Sequence, residues 1–206
     1  MPVSWAEIDA FIRVAVLSKR CQWAWKLAVL MRYTGMRCNE ARLVRWDHVQ
    51  DNWIHLPADL CKTRRGRKIP IAGDLLAFPT EWRDHSGSLV PDLPDGARYK
   101  RSTVIQAFSR LWEKAHLEER VPREAFGHIP GRANSSPTHT FRNCFSSQLK
   151  RAGARWEAVE AVLGHYSSIG VASHYDFLDD LMLEAVELVP PLNSEVQTVI
   201  ALTAAK

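Results

Sequence analysis

The sequence predicts a mainly α-helical domain that carries one small antiparallel β-sheet. Three observations predict it. Apolar residues recur at intervals of three and four over most of the chain, the period of an amphipathic helix. Between residues 45 and 71 the pattern shifts to short runs of Trp, Val, Ile and Leu separated by turn residues, which reads as strands. Two stretches, 84–99 and 120–137, hold Gly and Pro without periodicity and read as irregular connections. With 206 residues, 46% hydrophobic and 24% charged, the chain suits one domain with a real core.

Taken in order, the first helix opens at Ser4, an N-cap with Glu7 three residues on, and shows Ile8, Phe11, Ile12, Ala15 and Val16 on one face. A second helix covers about 22–33, with Trp23, Leu27, Leu30 and Met31 on one side, and Gly35 ends it. A short third helix starts near Met36. Trp46 and Val49, then Trp53, Ile54 and Leu56, then Ile69 and Ile71 form the sheet, with turns at Asp51-Asn52 and Arg65-Gly66. Helical pattern returns from Gly73 to about Trp82 and again through Val104, Phe108, Leu111, Trp112 and Ala115. Three helices close the chain, at roughly 138–152, 155–163 and 170–189, the last broken near Asp176 and apolar along Leu178, Leu181, Met182, Ala185, Val186 and Val189.

The net charge of +4 admits an anionic partner without naming one. Cys21, Cys38, Cys61 and Cys144 are scattered, with no CxxC pair, and no basic start followed by an apolar run marks an export signal. Such thiols fit a reducing cytoplasm. No apolar run approaches the length of about 20 residues that spans a bilayer.

Single candidates for chemistry say little. An arginine after a helix-ending glycine, Arg37, is ordinarily a surface charge. His139 and Arg142 share a helix face, which is common. The basic run of Lys62, Arg64, Arg65, Arg67 and Lys68 is ordinarily a solvated hairpin, and Tyr175 alone reads as a core or rim aromatic. His139, His165 and His174 lack an HxxxH or HExxH arrangement, so they indicate no metal site.

Together, five boxes stand in order: Tyr33-Thr34-Gly35-Met36-Arg37-Cys38-Asn39-Glu40; Lys62-Thr63; His139-Thr140-Phe141-Arg142; Leu163-Gly164-His165; and Ser173-His174-Tyr175. This set resembles the tyrosine recombinase (phage integrase) family, with its T-G-x-R-x-x-E signature, β-hairpin lysine, H-x-x-R, L-G-H and terminal tyrosine. The resemblance covers about residues 5–180. It implies the tyrosine recombinase catalytic-domain fold and a site-specific recombinase or integrase acting on double-stranded DNA in the cytoplasm, in the service of a mobile element.

The implied chemistry suits these residue types. Arg37 and Arg142 would each fork onto the non-bridging oxygens of a phosphodiester, where charge builds in the transition state. Tyr175 is the implied nucleophile, His139 its base or proton shuttle, and Lys62 the acid that protonates the departing 5′-oxygen. His165 would hydrogen-bond the phosphate, and Glu40 would orient Arg37. Arg64, Arg65, Arg67 and Lys68 are expected on neighbouring phosphates. The product is a 3′-phosphotyrosyl ester, which a 5′-hydroxyl can reverse. The resemblance calls for neither metal, ATP nor other cofactor.

Some features depart from the family pattern. His165 and Tyr175 stand ten apart where the family usually has nine, so a residue around Ser168–Gly170 must be absorbed in a loop. Asn143 follows Arg142, where the family often has histidine. Residues 1–206 are expected to form a single catalytic domain without the family's N-terminal core-binding domain. The segment 178–206 is a candidate for docking on a neighbouring subunit in a tetramer on DNA, or equally for packing on its own domain. Two other readings stand beside the recombinase: a type IB topoisomerase or telomere-resolving strand transferase, and an inactive DNA-binding relic.

Overall fold

The computed structural model describes residues 3–71, 73–76, 87–89, 99–119, 137–165 and 175–204. Helix α1 (Trp5–Val16) starts where the sequence places it, and the Ser4–Glu7 capping box forms: the Glu7 amide donates to Ser4 Oγ at 3.3 Å, and the Glu7 carboxylate accepts from the Ser4 amide. Helix α2 (Ala24–Thr34) is buried along nearly its whole length. Trp23 precedes α2 and stacks on Tyr99, ring centroids 3.8 Å apart. Gly35 ends α2 with φ +61°, and a Cβ there would lie 2.6 Å from Phe145 and 2.8 Å from Leu163. Only glycine suits that backbone in that space.

Helix α3 (Cys38–Leu43) leads into a three-stranded antiparallel sheet, β1 (Val49–Gln50), β2 (Trp53–Leu56) and β3 (Arg67–Pro70), in the order β1-β2-β3. The β1–β2 turn uses Asp51 and Asn52 at φ +48° and +62°, the left-handed pair of a tight hairpin. Ile54 faces Ile69 and Leu56 faces Arg67 across β2 and β3. Of the helix expected from Gly73 to Trp82, the described part is a 3-10 turn, Gly73–Leu76. Residues 77–86 lie outside the described residues, as do 90–98 and 120–136 of the expected irregular stretches.

Helix α4 (Arg101–Glu119) and helix α5 (Pro137–Arg151) complete the aromatic centre of the core. Phe11 sits 5.0 Å from Phe108 and 5.2 Å from Phe141, ring centroid to centroid. Helix α6 (Trp156–Leu163) and helix α7 (Tyr175–Glu187) follow. Helix α7 runs without interruption from Tyr175 to Glu187, and the part of the expected helix before it, 170–174, lies outside the described residues. Leu181, Met182, Ala185 and Val186 on the apolar face of α7 are buried within the chain, as is Val189 just beyond its end.

One helix went unpredicted. Helix α8 (Ser194–Ala204) is rich in β-branched residues, poor helix formers in isolation. Asn193 caps it, its Oδ1 accepting from the Val196 amide at 2.9 Å, and Val196 and Ile200 bury against α1. Arg32 secures the segment before it. Its guanidinium, fully buried, pairs with Asp9 at 2.8 Å and donates to the carbonyls of Pro190 and Pro191. No helix among the described residues is long and apolar enough to cross a membrane.

Candidate active site

The ends of α2, α5 and α6 meet the start of α3, and this meeting places the first, third and fourth boxes at one point. Arg142 projects from α5 with only 3% of its surface exposed. Its Nη1 donates to the Gly35 carbonyl at 2.9 Å, and its Nη2 donates both to the Leu163 carbonyl and to His165 Nε2, the latter at 3.0 Å. One guanidinium therefore ties together the two glycine-terminated helix ends. Burial, then the positive charges of Arg37 and Arg67, push its pKa down to about 9, so it remains a cation at neutral pH.

Arg37 stands at the entry to α3, where Glu40 holds it twice. The carboxylate accepts the Arg37 amide at 2.8 Å and its Nη1 at 3.1 Å. The Arg37 side chain keeps 23% of its surface exposed, so part of the guanidinium faces solvent. Glu40, the expected support of Arg37, is 1% exposed and has a second partner. Arg67 donates through Nη1 at 3.0 Å and Nη2 at 2.8 Å, so the carboxylate accepts four hydrogen bonds. Burial alone would raise the Glu40 pKa; the bonds and charges of Arg67 and Arg37 outweigh it and hold the group below the usual carboxylate range.

That geometry corrects one expectation. The sequence places Arg67 among the DNA-facing bases of the hairpin, yet its side chain is 2% exposed. Besides gripping Glu40, it donates through Nε to the Val162 carbonyl at 3.0 Å. Strand β3 turns it inward against α6, where a guanidinium needs acceptors on every side and finds them. Lys68, next along the strand, is half-turned from solvent: it pairs with Asp179 of α7 and lies 4.7 Å over the ring of Trp53. Arg64 and Arg65 are exposed on the hairpin, as is Lys62.

His139 rises from the first turn of α5 with its ring accessible to solvent. Partial loss of hydration, then the charges of Arg142, Arg37, Lys62 and His165, lower its pKa below the ordinary imidazole range. It is therefore a neutral base at neutral pH. The same interactions put all five residues in one electrostatic neighbourhood. The two guanidiniums of the first and third boxes lie on the same side of the molecule.

Tyr175 is the first residue of α7, which packs against α6 and β3 beside this cluster. Its side chain lies outside the described residues, as does the extra residue of the 166–174 connection. A residue the sequence reading missed is Glu160. Its carboxylate accepts from His165 Nδ1 at 2.6 Å and from Lys150 Nζ at 2.8 Å. The only sequence signal was an acid five positions before the histidine. The chemistry available here is that of a cationic, partly desolvated cradle for an oxyanion, with a neutral imidazole at its edge. Among the described residues, no group of three His, Cys, Asp or Glu side chains is arranged to hold a metal ion.

The profile of the Phage integrase family matches residues 7–180. Among solved structures, an integrase from mycobacterium phage Brujita superposes with a TM-score of 0.66 at 15% identity, over 97% of this chain and 63% of that one. XerH, a site-specific recombinase bound to its difH substrate in a pre-cleavage complex, matches with a TM-score of 0.58 at 16% identity, over 88% and 49%. XerA recombinase matches with a TM-score of 0.59 at 15% identity, over 100% and 64%. At such identity these likenesses speak for the fold, and the chain spans less than two thirds of the length of each. Among curated proteins, no sequence matches the chain.

Proposed function

Because the chain belongs to the phage integrase family, we propose that it is a site-specific recombinase that breaks and rejoins strands of double-stranded DNA through a covalent bond to Tyr175. The observation that carries this reading is the gathering of Arg37, Arg142, His139, His165 and Lys62 into one cluster. Their shared cationic neighbourhood suits a single anionic group.

In this mechanism the scissile phosphate settles against Arg37 and Arg142, whose fixed charges stabilise the negative charge that grows as the phosphorus becomes five-coordinate. A phenol holds its proton at neutral pH, so in this mechanism Tyr175 gives up its proton as it attacks; neutral His139 receives it. The new bond is tyrosine oxygen to phosphorus, and the bond that breaks leads to the 5′-oxygen. Lys62 donates the proton that makes this oxygen a 5′-hydroxyl. The phosphotyrosyl ester conserves the energy of the phosphodiester, so an incoming 5′-hydroxyl reverses the step without ATP. Exposed Arg64 and Arg65 meet flanking phosphates and add salt-dependent affinity without sequence preference.

Residues 1–206 act as one catalytic unit in this reading, working in the cytoplasm on a mobile element. Exchange between two duplexes requires several protomers on DNA, a tetramer in the simplest arrangement. The decisive experiment uses a duplex nicked next to the cleavage position, so that the freed end diffuses away. A covalent protein–DNA adduct that disappears in Tyr175→Phe supports the proposal. No adduct on a substrate captured from the protein's own genomic sites would refute it. Relaxation of supercoils without site exchange would favour a type IB topoisomerase instead.

A further inference from the structure

Helix α6 ends in a way that joins Glu160 to His165. Gly164 adopts φ +75°, its amide donates to the Ala161 carbonyl at 2.9 Å, and the His165 amide donates back to the Glu160 carbonyl at 2.9 Å. This Schellman arrangement folds residue 165 over residue 160. The side chains then meet as well, Nδ1 to Oε2 at 2.6 Å.

The protons of this contact have one assignment. A carboxylate only accepts, and Glu160 is ionised: burial would raise its pKa, but the bonds from Lys150 and His165 outweigh it. A guanidinium only donates. Between Glu160 on one nitrogen and Arg142 on the other, His165 is the neutral Nδ1–H tautomer, its Nε2 lone pair accepting from Arg142. In that form the ring has no hydrogen to offer a phosphate. Arg142 Nη2 is equally committed, one N–H to Leu163 and one to His165. An arriving phosphate oxygen reaches it only by displacing an acceptor. The Leu163 carbonyl is locked in the helix end, whereas the His165 side chain is 42% exposed and able to yield.

We infer that Glu160 is a positioning residue: it holds His165 as a stand-in acceptor for Arg142, and His165 takes up a proton at Nε2 when a phosphate oxygen replaces it on the arginine. The inference rests on reading the site as a phosphate site. The proton comes from solvent and no covalent bond between heavy atoms changes. A displaced, unprotonated Nε2 would aim its lone pair at an anionic oxygen; protonated, it donates to that oxygen while Glu160 balances the imidazolium across the short Nδ1 bond. Around the pair stand Arg142, His139 and Lys150 from α5, Arg67 from β3 against Gly164, Arg37 and Glu40 of the first box, and the Lys68–Asp179 pair linking β3 to α7. A bound phosphate oxygen takes the place of the Nε2 lone pair on Arg142 and adds negative charge beside the ring, so uptake follows occupancy.

The test is long-range proton–nitrogen NMR on protein labelled with 15N-histidine, His165 being assigned by loss of its signals in His165→Gln. Spectra in chloride and in sulfate, a tetrahedral dianion that does not titrate near neutrality, are compared at equal ionic strength and at a pH above the ordinary imidazole range. In chloride, Nδ1 is expected to be protonated and Nε2 bare; in sulfate, both are protonated. In Glu160→Gln, sulfate should still move the His139 signals but leave Nε2 of His165 bare, and Glu160→Asp should restore part of the uptake. An Nε2–H tautomer in chloride, or a His165 whose Nε2 stays bare in sulfate, overturns the inference. No cleavage is involved, so the two readings fail separately. Adduct formation with the wrong tautomer sinks only this inference, and the right tautomer without an adduct sinks only the recombinase.

Discussion

Replacing Arg67 by Met distinguishes a strut from a DNA contact, two roles with opposite signatures. The substitution keeps much of the side-chain volume but removes both hydrogen bonds to Glu40, at 3.0 and 2.8 Å, and the bond to the Val162 carbonyl at 3.0 Å. Glu40, 1% exposed, is left with Arg37 alone. Breaking one half of a buried ion pair costs about 3–5 kcal/mol, and the orphaned carbonyl adds about 1 kcal/mol. These terms overlap, so we expect a loss of about 4 kcal/mol, a large part of a typical folding free energy of about 5–15 kcal/mol. For a domain of this size that lowers the melting temperature by roughly 8–16 °C.

Urea unfolding followed by tryptophan fluorescence reads the loss directly. A double-mutant cycle with Glu40→Gln should return a coupling above about 1 kcal/mol. The pH dependence has a definite sign. In the native chain, Glu40 is held below the usual carboxylate range, so its contribution is present above the ordinary carboxylate pKa and is lost as pH falls through the lowered one. Without Arg67, burial favours the protonated acid. The deficit of the variant is therefore largest at neutral pH and shrinks on acidification. A stability change below about 0.5 kcal/mol, with the salt dependence of DNA binding falling by about one phosphate contact, would refute this account and return Arg67 to the DNA.

Three further outcomes are expected. Arg142→Lys keeps a charge but cannot serve Gly35, Leu163 and a phosphate together, so single-turnover cleavage should fall by orders of magnitude while DNA affinity changes little; equal losses in both would make Arg142 a binding residue. With the His139 pKa lowered by lost hydration and then by Arg142, Arg37, Lys62 and His165, the base form survives acidification below the ordinary imidazole range, so kcat/KM should decline only at lower pH, and a decline centred at or above that range would contradict it. Gly35→Ala forces a Cβ to 2.6 Å from Phe145 on a left-handed backbone, which should cost about 1–3 kcal/mol in urea unfolding and displace the carbonyl that Arg142 uses; a variant of native stability would show that the helix end can shift freely.

Much of the fold was legible. The Ser4–Glu7 box, the glycine after α2 and the Asp51-Asn52 turn are local devices whose physics acts within a few residues, and each forms as read. Helix α8 was not legible, although Asn193 marks its start, because its Val, Thr and Ile content is offset only by packing on α1. The placement of α7 was not legible for a related reason. Its place is set by contacts with α6 and β3 that no local pattern records.

By itself, the sequence determined which side chains carry charge, nucleophilicity and proton affinity, and in what order, and this was enough to name the family. Tertiary structure alone decided what each charge does. Arg64, Arg65 and Arg67 are indistinguishable as residue types, yet two face solvent and the third is a buried strut for a carboxylate 27 positions away. Glu160 is one acid among many until the end of α6 folds His165 over it. The reason is that charge belongs to the residue, whereas desolvation and partnership belong to the surroundings, and those surroundings are assembled from segments as far apart as Gly35 and Arg142.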